Sequence, residues 1–251
     1  MNRKGTPDYK VRSKWLWAEL ILDILFPRRC PICDGVLSFG GALICPECSK
    51  KVLFVREPRC RKCGKMLSDE QGEYCGDCKT VPHTFDRGIS LFLYNDAMRN
   101  SISRYKYGNR REYAKYYGET MAKYLGEEIL SFRPEALLPV PLHKERLRKR
   151  GYNQAALIAG ELGAMLRLPV LEDLLIRKRA TRPQKMLDRE ERRKNLKRAF
   201  TLGRNDVKLN RVVLIDDIYT TGSTSDEIAS VLKNSGVREV YVVALCSGTP
   251  M

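Results

Sequence analysis

Two adjacent aspartates follow a short apolar run in the segment Arg211 to Asp226, which reads Arg-Val-Val-Leu-Ile-Asp-Asp-Ile-Tyr-Thr-Thr-Gly-Ser-Thr-Ser-Asp. The run Arg211 to Ile215 predicts a buried strand, and the hydroxyl-rich stretch predicts a loop that opens a helix. This layout puts Asp216 and Asp217 at the carboxyl end of a parallel strand, where open α/β sheets bind ligands. Backbone N–H groups and hydroxyls of the loop make a concavity suited to a phosphate dianion. The loop residues are Thr220, Thr221, Gly222, Ser223 and Thr224.

Carboxylates beside a bound phosphate would be repelled unless they hold another part of the same ligand. Accepting hydrogen bonds from vicinal ribose hydroxyls is the task that fits, so the segment predicts a ribose 5-phosphate site. Adjacent strand residues point to opposite faces, which makes Asp216 and Asp217 binding groups rather than a paired acid and base. The simpler alternative, a strand end with a threonine N-cap, explains Asp217 and one hydroxyl but not the other polar residues. The chain has no GxxxxGK motif, which excludes a P-loop.

Eight cysteines form four Cys-x-x-Cys pairs that recur at a constant interval of fifteen residues. Two such pairs can complete a tetrahedral sulfur shell for Zn²⁺, so the sequence predicts two structural zinc sites. Sequential pairing is the simplest, with one site at Cys30, Cys33, Cys45 and Cys48 and the other at Cys60, Cys63, Cys75 and Cys78. Crossed pairing, redox chemistry and His83 as a substitute ligand remain alternatives.

The regular repeat indicates a duplicated unit, and after Thr80 the pattern changes to the alternating strands and helices of an α/β domain. We therefore divide the chain into a tail with a short helix (1–26), a double zinc ribbon (27–82) and an α/β domain (83–251). Strands are predicted at Gly88–Tyr94, Ala136–Val140, Arg211–Ile215 and Glu239–Leu245. Helices are predicted at Trp15–Leu25, Tyr113–Leu130, Tyr152–Arg167 and Ser223–Ser235.

The formal net charge of +16 predicts attraction to polyanions, either nucleic acid or a multiply charged small anion. The longest apolar stretch, Trp15 to Phe26, contains Glu19 and Asp23 and is too short to cross a bilayer. The paired cysteines and the lack of a secretory leader predict a cytoplasmic location.

Two basic segments could bind a second anion. Pro139 and Pro141 predict a rigid strand exit, after which Arg146, Lys149 and Arg150 could neutralise a phosphate group; a solvated basic helix start is the less favoured alternative. The strongly basic segment Arg177 to Arg198 is too charged to be core.

The segment Leu214 to Thr224 resembles the phosphoribosyl pyrophosphate signature of type I phosphoribosyltransferases. Nearly the whole chain resembles the ComF family of competence proteins. The segments that carry this second resemblance are Leu25–Cys30, Tyr105–Gly108, Leu138–His143 and Arg146–Gln154, together with Gln184, Arg189, Arg192, Asn195 and Phe200.

The resemblance implies a type I phosphoribosyltransferase-like parallel sheet flanked by helices, with a small N-terminal zinc-ribbon module. It implies 5-phosphoribosyl 1-pyrophosphate as ligand together with Mg²⁺, Asp216 and Asp217 on the ribose hydroxyls, and Thr220 to Thr224 on the 5-phosphate. The pyrophosphate would face the loop after Val140. The segment Arg177 to Arg198 would form a hood closed by Gln184, Arg189, Arg192 and Asn195, unless it is a solvated charged helix.

Two functions follow from the resemblance. The first is a phosphoribosyltransferase, a glycosyltransferase that transfers a pentosyl group, or a phosphoribosyl pyrophosphate hydrolase, with unknown acceptor and a link to DNA uptake in natural transformation. The alternative is a non-catalytic, zinc-dependent single-stranded DNA-binding protein that works with the competence machinery. For DNA, the suggestive cluster is Tyr105, Tyr107, Tyr113, Tyr116 and Tyr117 beside Lys106, Arg110, Arg111 and Lys115. The same tyrosines could instead pack a helix onto the sheet.

Overall fold

The computed structural model describes residues 27–37, 41–69, 72–178, 199–203 and 208–248. The predicted helix Trp15–Leu25 and most of the basic segment after Arg177 lie outside the described residues. Gln184, Arg189, Arg192 and Asn195 are among the residues that are not described.

Six strands and seven helices are described. The strands are β1 (Arg87–Leu93), β2 (Ala136–Pro139), β3 (Leu175–Arg177), β4 (Phe200–Leu202), β5 (Arg211–Tyr219) and β6 (Glu239–Ser247). The helices are α1 (Pro46–Ser49), α2 (Gly76–Thr80), α3 (Asp96–Tyr107), α4 (Tyr113–Ser131), α5 (Lys144–Arg150), α6 (Gln154–Leu166) and α7 (Ser223–Asn234). Within the described part of the chain, no helix is both long enough and apolar enough to cross a membrane.

The central sheet has four parallel strands in the order β1-β6-β5-β2, which confirms the predicted α/β class. The prediction that the third strand stops at Ile215 was wrong, because β5 continues through both aspartates to Tyr219. Its pairing with β6 persists, with Asp216 opposite Ala244 and Tyr219 opposite Ser247. The apolar run ends at Ile215 because the next three side chains are only partly buried. Backbone pairing does not need buried side chains and extends four residues further.

Helices cover both faces of the sheet. On one face, Val213 and Ile215 of β5 pack with α4 and α6, and on the other face Val212 and Leu214 pack with α7. The crossing of α4 and α6 is close, since a Cβ on Gly118 would lie 2.3 Å from the Cβ of Glu161. This packing leaves the carboxyl ends of the strands, where the two aspartates lie, at the rim of the sheet.

The cysteine-rich part packs directly on the α/β part. Phe54 forms an antiparallel bridge with Phe92 of β1, and the N–H of Gly88 donates to the carbonyl of Lys62 at 2.7 Å. Cys30 and Cys48 belong to one apolar cluster of the sheet, and Cys60 belongs to the other. The two parts bury each other's apolar surface, so the division near residue 82 stays a prediction about sequence units.

Candidate functional site

The loop after β5 opens α7 on a glycine. Gly222 is the N-cap of α7 and has a left-handed backbone with φ of 78°. A Cβ at this position would lie 2.5 Å from the hydroxyl of Tyr219 and 2.9 Å from Cε1 of His83. Because glycine has no side chain, the first N–H groups of α7 receive no side-chain cap from it. The loop is therefore a helix start built from backbone, with the hydroxyls of Thr221 and Ser223 beside it, 2.9 Å apart.

Asp217 forms an ion pair with Lys106 of α3. The two side chains are only 16% and 18% exposed, so water screens the pair weakly. The sequence indicated Lys106 as a neighbour of the tyrosine cluster and as part of the segment Tyr105–Gly108 in the family resemblance. Its role beside Asp217 had no signal in the sequence, because the packing of α3 against the end of β5 brings the two residues together.

Asp216 has different surroundings. Its carboxylate accepts the backbone N–H of Asp217 at 2.8 Å, and the residue is partly buried. Burial, followed by the charge of Asp217, raises the pKa of Asp216 to about 7. Hydrogen-bond donors or a cation bound at this carboxyl would favour its ionised form.

Arg177 lies within electrostatic range of both Asp216 and Arg146. Arg177, at the end of β3, is buried, and its guanidinium lies 5.2 Å from the centre of the Phe200 ring. Burial, then the charge of Arg146, lowers the pKa of Arg177 to about 10, while the charge of Asp216 acts in the opposite direction. The structure therefore brings the predicted residue Arg146 near Arg177, the first residue of the basic segment, and Arg177 near Asp216.

Arg150 is held by other groups. Its guanidinium donates to Oε1 of Gln154 at 2.8 Å and to the hydroxyl of Tyr107 at 3.2 Å, and it lies 4.9 Å from the centre of the Tyr107 ring. The loop that leads to Arg150 is also fixed, because the amide of Asn153 donates to the carbonyl of Val140 at 3.1 Å.

The proposed DNA-stacking cluster of tyrosines was wrong as a surface. Four of its members are buried and pack α3 and α4 into the core, namely Tyr105, Tyr113, Tyr116 and Tyr117. Their rings contact one another, as in the edge-on pair of Tyr105 and Tyr117 with centroids 5.2 Å apart. Tyr107 alone of the five is exposed, at 68%. These tyrosines lie where α3 and α4 pack on the sheet. Burying their rings there is more favourable than leaving them exposed to water.

The eight paired cysteines form two clusters with sequential pairing. The first contains Cys30, Cys33, Cys45 and Cys48, and the second contains Cys60, Cys63, Cys75 and Cys78, with all ligand atoms of a cluster within 4.8 Å of one another. A tetrahedral shell with Zn–S bonds of about 2.3 Å places its sulfurs about 3.8 Å apart. Facing sulfurs lie at 3.9 Å between Cys33 and Cys45 and at 3.6 Å between Cys63 and Cys75, which fits that shell. Cys246 is buried on β6, as predicted.

His83 belongs to neither cysteine cluster. Its Nδ1 lies 2.7 Å from Oδ2 of Asp226 in the first turn of α7. The alternative in which His83 replaces a cysteine ligand therefore does not hold, because each cluster has four thiols and Nδ1 of His83 bonds Asp226.

The fold and the two sulfur clusters define an α/β protein with a parallel sheet and two Cys₄ zinc-binding sites in an N-terminal ribbon. A family model described as a double zinc ribbon domain matches residues 21–79. The chain is 33% identical over 229 residues to competence protein F of Haemophilus influenzae, covering 88% of this chain and 97% of that protein. It belongs to the competence protein F family.

Other relatives span similar lengths. The DNA utilization protein YhgH of Escherichia coli K12 is 31% identical over 227 residues, covering 88% of this chain and 97% of the relative. Competence protein ComFC of Streptococcus pneumoniae is 28% identical over 216 residues, covering 86% of each chain. Adenine phosphoribosyltransferase from Leishmania tarentolae superposes on 63% of this chain and 91% of its own, with 16% identity and a TM-score of 0.33.

Proposed function

We propose that the site at the end of β5 binds 5-phosphoribosyl 1-pyrophosphate with Mg²⁺ and uses it for phosphoribosyl transfer. One observation carries the proposal. Two aspartates in unlike surroundings and a glycine-led helix start lie next to one another, at the carboxyl end of a central parallel strand. A ribose that bears a phosphate at one end and a pyrophosphate at the other offers matching groups for each of these features.

The 5-phosphate would occupy the loop from Thr220 to Thr224. The N–H groups of the first turn of α7 point towards the loop, and the twelve-residue helix adds its dipole. One of the hydroxyls of Thr221 and Ser223 donates to the other, so the pair has one proton left to donate to a phosphate oxygen.

The ribose hydroxyls would donate to the aspartates. Asp216 has a raised pKa, so binding of hydroxyl donors or a cation favours its ionised form and releases a proton. The oxygen-rich surroundings suit Mg²⁺, which would be held by phosphate oxygens of the ligand together with a carboxylate of Asp216 or Asp217. Bound there, Mg²⁺ would help to neutralise the charge of the leaving pyrophosphate.

The pyrophosphate would lie towards the arginines. Arg177 lies near the charges of Asp216 and Arg146, and guanidinium groups bind phosphate oxygens in pairs of hydrogen bonds. Arg150, Gln184 and Arg189 remain proposed contacts, the last two outside the described residues. In the transfer, the bond between C1 of the ribose and the pyrophosphate oxygen breaks, its electrons leave with the pyrophosphate, and an acceptor forms the new bond at C1.

Single-stranded DNA binding is the second candidate. Relatives are named as competence and DNA utilization proteins, which supports a role in DNA uptake beside other competence proteins. The exposed ring of Tyr107, with Arg150 beside it, is a surface on which a base could stack, and the net charge of +16 would favour the approach of DNA. We place this activity in the cytoplasm, where zinc thiolates stay reduced.

Calorimetry of the zinc-loaded protein tests the first candidate. We expect phosphoribosyl pyrophosphate and Mg²⁺ to give binding heat that the double variant Asp216→Asn, Asp217→Asn abolishes. Asp96→Asn is the matched control, because that side chain is 86% exposed and its partner Arg99 is on the same helix. No heat from the folded wild-type protein would contradict the proposal.

Two further measurements separate the functions. Pyrophosphate release over a panel of nucleobases, amines and nucleic acids would distinguish a transferase from a protein that only binds the ligand. For DNA, the affinity for a labelled single strand should fall steeply with salt, because binding releases counterions. A response that does not depend on salt would exclude the electrostatic model.

A further inference from the structure

The short linker between the second zinc ribbon and β1, residues 83–85, contacts the first turn of α7. The side chain of His83 is fully buried, and its Nδ1 lies 2.7 Å from Oδ2 of Asp226. An ionised carboxylate only accepts hydrogen bonds, so Nδ1 carries the proton and donates it. The backbone N–H of Thr84 donates to the other oxygen of Asp226, also at 2.7 Å. Both carboxylate oxygens of Asp226 are therefore occupied by consecutive residues of the linker.

His83 touches both ends of the first turn of α7. The backbone N–H of Asp226 donates to the carbonyl of Gly222 at 2.8 Å, which closes that turn. A Cβ on Gly222 would lie 2.9 Å from Cε1 and 3.1 Å from Nδ1 of His83, so the imidazole lies against the glycine. The ring thus contacts Gly222 at the start of the turn and Asp226 at its end.

The other side of the linker rests on the second zinc ribbon. His83 stacks on Phe85 with ring centroids 4.8 Å apart, and Phe85 is completely buried. The ammonium of Lys62, which lies between Cys60 and Cys63, is 5.4 Å from the centre of the Phe85 ring. Phe85 belongs to the same apolar cluster as both of those cysteines.

The ribbon also contacts the end of β5. The ammonium of Lys65 lies 5.6 Å from the centre of the Tyr219 ring. It also forms an ion pair of 2.9 Å with Asp77, which lies between Cys75 and Cys78 in the sequence. Phe85 meets Tyr219 edge-on, with centroids 6.1 Å apart. Both knuckles of the second ribbon therefore support side chains that border the loop from Thr220 to Thr224.

We infer that His83 and Asp226 are a positioning pair through which the second zinc ribbon holds the first turn of α7 in its phosphate-binding conformation. Such support is needed because Gly222 is conformationally permissive and does not fix the direction of the following N–H groups by itself. The link to phosphate affinity rests on the proposed function, whereas the coupling between ribbon and helix does not.

The choice of histidine supports a specific role. Within the described part of the chain, Nε2 of His83 is buried and has no hydrogen-bond partner. A phenylalanine would fill similar space without burying an unpaired nitrogen. What the histidine adds is the bond from Nδ1 to Asp226.

Hydrogen exchange of the ligand-free, zinc-loaded protein tests the coupling. We expect His83→Ala to keep two zinc ions per chain while the amide of Asp226, whose bond to Gly222 closes the first turn, exchanges about tenfold faster, which corresponds to about 1.4 kcal/mol of local stability. His83→Asn can still donate to Asp226 and should restore most of the protection. Unchanged exchange in His83→Ala, measured on a folded protein, would overturn the inference.

A pair of cysteine variants tests the role of the ribbon. Cys45 and Cys75 occupy equivalent positions, each as the N-cap of the short helix in its own ribbon. We expect Cys75→Ser to speed exchange of the Asp226 amide and Cys45→Ser to leave it unchanged. Equal effects of the two variants, or no effect of either, would contradict a specific link from the second ribbon.

Titration with ribose 5-phosphate and with pyrophosphate, each with Mg²⁺, tests the link to the ligand. His83→Ala should weaken ribose 5-phosphate about tenfold and leave pyrophosphate affinity within about twofold, since only the phosphate loop changes. An equal loss for both ligands would indicate general disruption and overturn the positioning role. If the wild-type protein binds neither ligand, the proposed function fails, and the exchange data still decide whether ribbon and helix are coupled.

Discussion

Replacing Asp216 with asparagine should stabilise the protein above neutral pH while abolishing ligand binding. The burial that raises the pKa of this carboxyl to about 7 means that the folded state disfavours its charge. Asparagine keeps the shape and an oxygen that can accept the N–H of Asp217, now held at 2.8 Å. The substitution therefore removes a buried charge and keeps its hydrogen bond.

The magnitude follows from the pKa. The difference between the ordinary value of 3.8 and about 7 corresponds to about 4 kcal/mol, at about 1.4 kcal/mol for each tenfold change in proton affinity. Asp216 is only partly buried, and solvent screening reduces this upper bound, so we expect about 1–2 kcal/mol. The folded state holds this proton more tightly than the unfolded chain. The stability that Asp216 contributes is therefore complete below about pH 4 and is lost as the pH rises through about 7.

Urea denaturation of zinc-loaded protein at pH 5.5 and pH 8.5 would measure the effect. The gain from Asp216→Asn over the wild type should be about 1–2 kcal/mol at pH 8.5 and about half of that at pH 5.5, because pH 5.5 lies midway between the two pKa values. Asp217→Asn is the matched control with the opposite sign, because it leaves the poorly exposed Lys106 without its carboxylate and should lose about 1–3 kcal/mol. If both variants lose stability equally at pH 8.5, the assignment of different roles to the two aspartates is wrong.

Four further outcomes are expected. Metal analysis should find two zinc ions per chain, and a strong chelator should unfold the ribbon, whereas a content of one would exclude one Cys₄ site. Gly222→Ala should lower the free energy of unfolding by about 2–4 kcal/mol in denaturant titration, because its φ is 78° and its Cβ would meet Tyr219. Tyr113→Phe should lower the melting temperature, at a loss of about 1–2 kcal/mol, because its hydroxyl donates to Asp34 at 2.6 Å; an unchanged melting temperature would show that this bond contributes nothing. Tyr107→Ala should leave the melting temperature unchanged and weaken single-stranded DNA binding in fluorescence anisotropy, and unchanged affinity would remove this ring from the DNA model.

The sequence was sufficient for features that depend on local spacing. Four cysteine pairs at a fixed interval predicted two sulfur sites, because two residues between ligands suffice to turn both towards one metal. The apolar runs predicted the four strands of the parallel sheet, and the glycine at the start of α7 marked the helix boundary. Each of these predictions needs only a window of a few residues.

The tyrosine cluster shows where such windows fail. A row of tyrosines beside lysines and arginines fits a DNA-binding face and a buried helix face equally well. Only the packing of α3 and α4 against the sheet decides that Tyr105, Tyr113 and Tyr117 are core and that Tyr107 is surface. Burial depends on the partner elements, which are distant in the sequence.

The sequence by itself determined the residue types of the site: two carboxylates, a hydroxyl-rich loop with one glycine, and two sets of four thiols. The tertiary structure decided which charged residues surround each of these groups and which elements hold it in place. It put Lys106 beside Asp217 and Arg177 near Asp216, and it placed His83 and the second ribbon against the start of α7. Charge and burial act through space at a few ångströms, whereas the residues that supply them lie far apart along the chain.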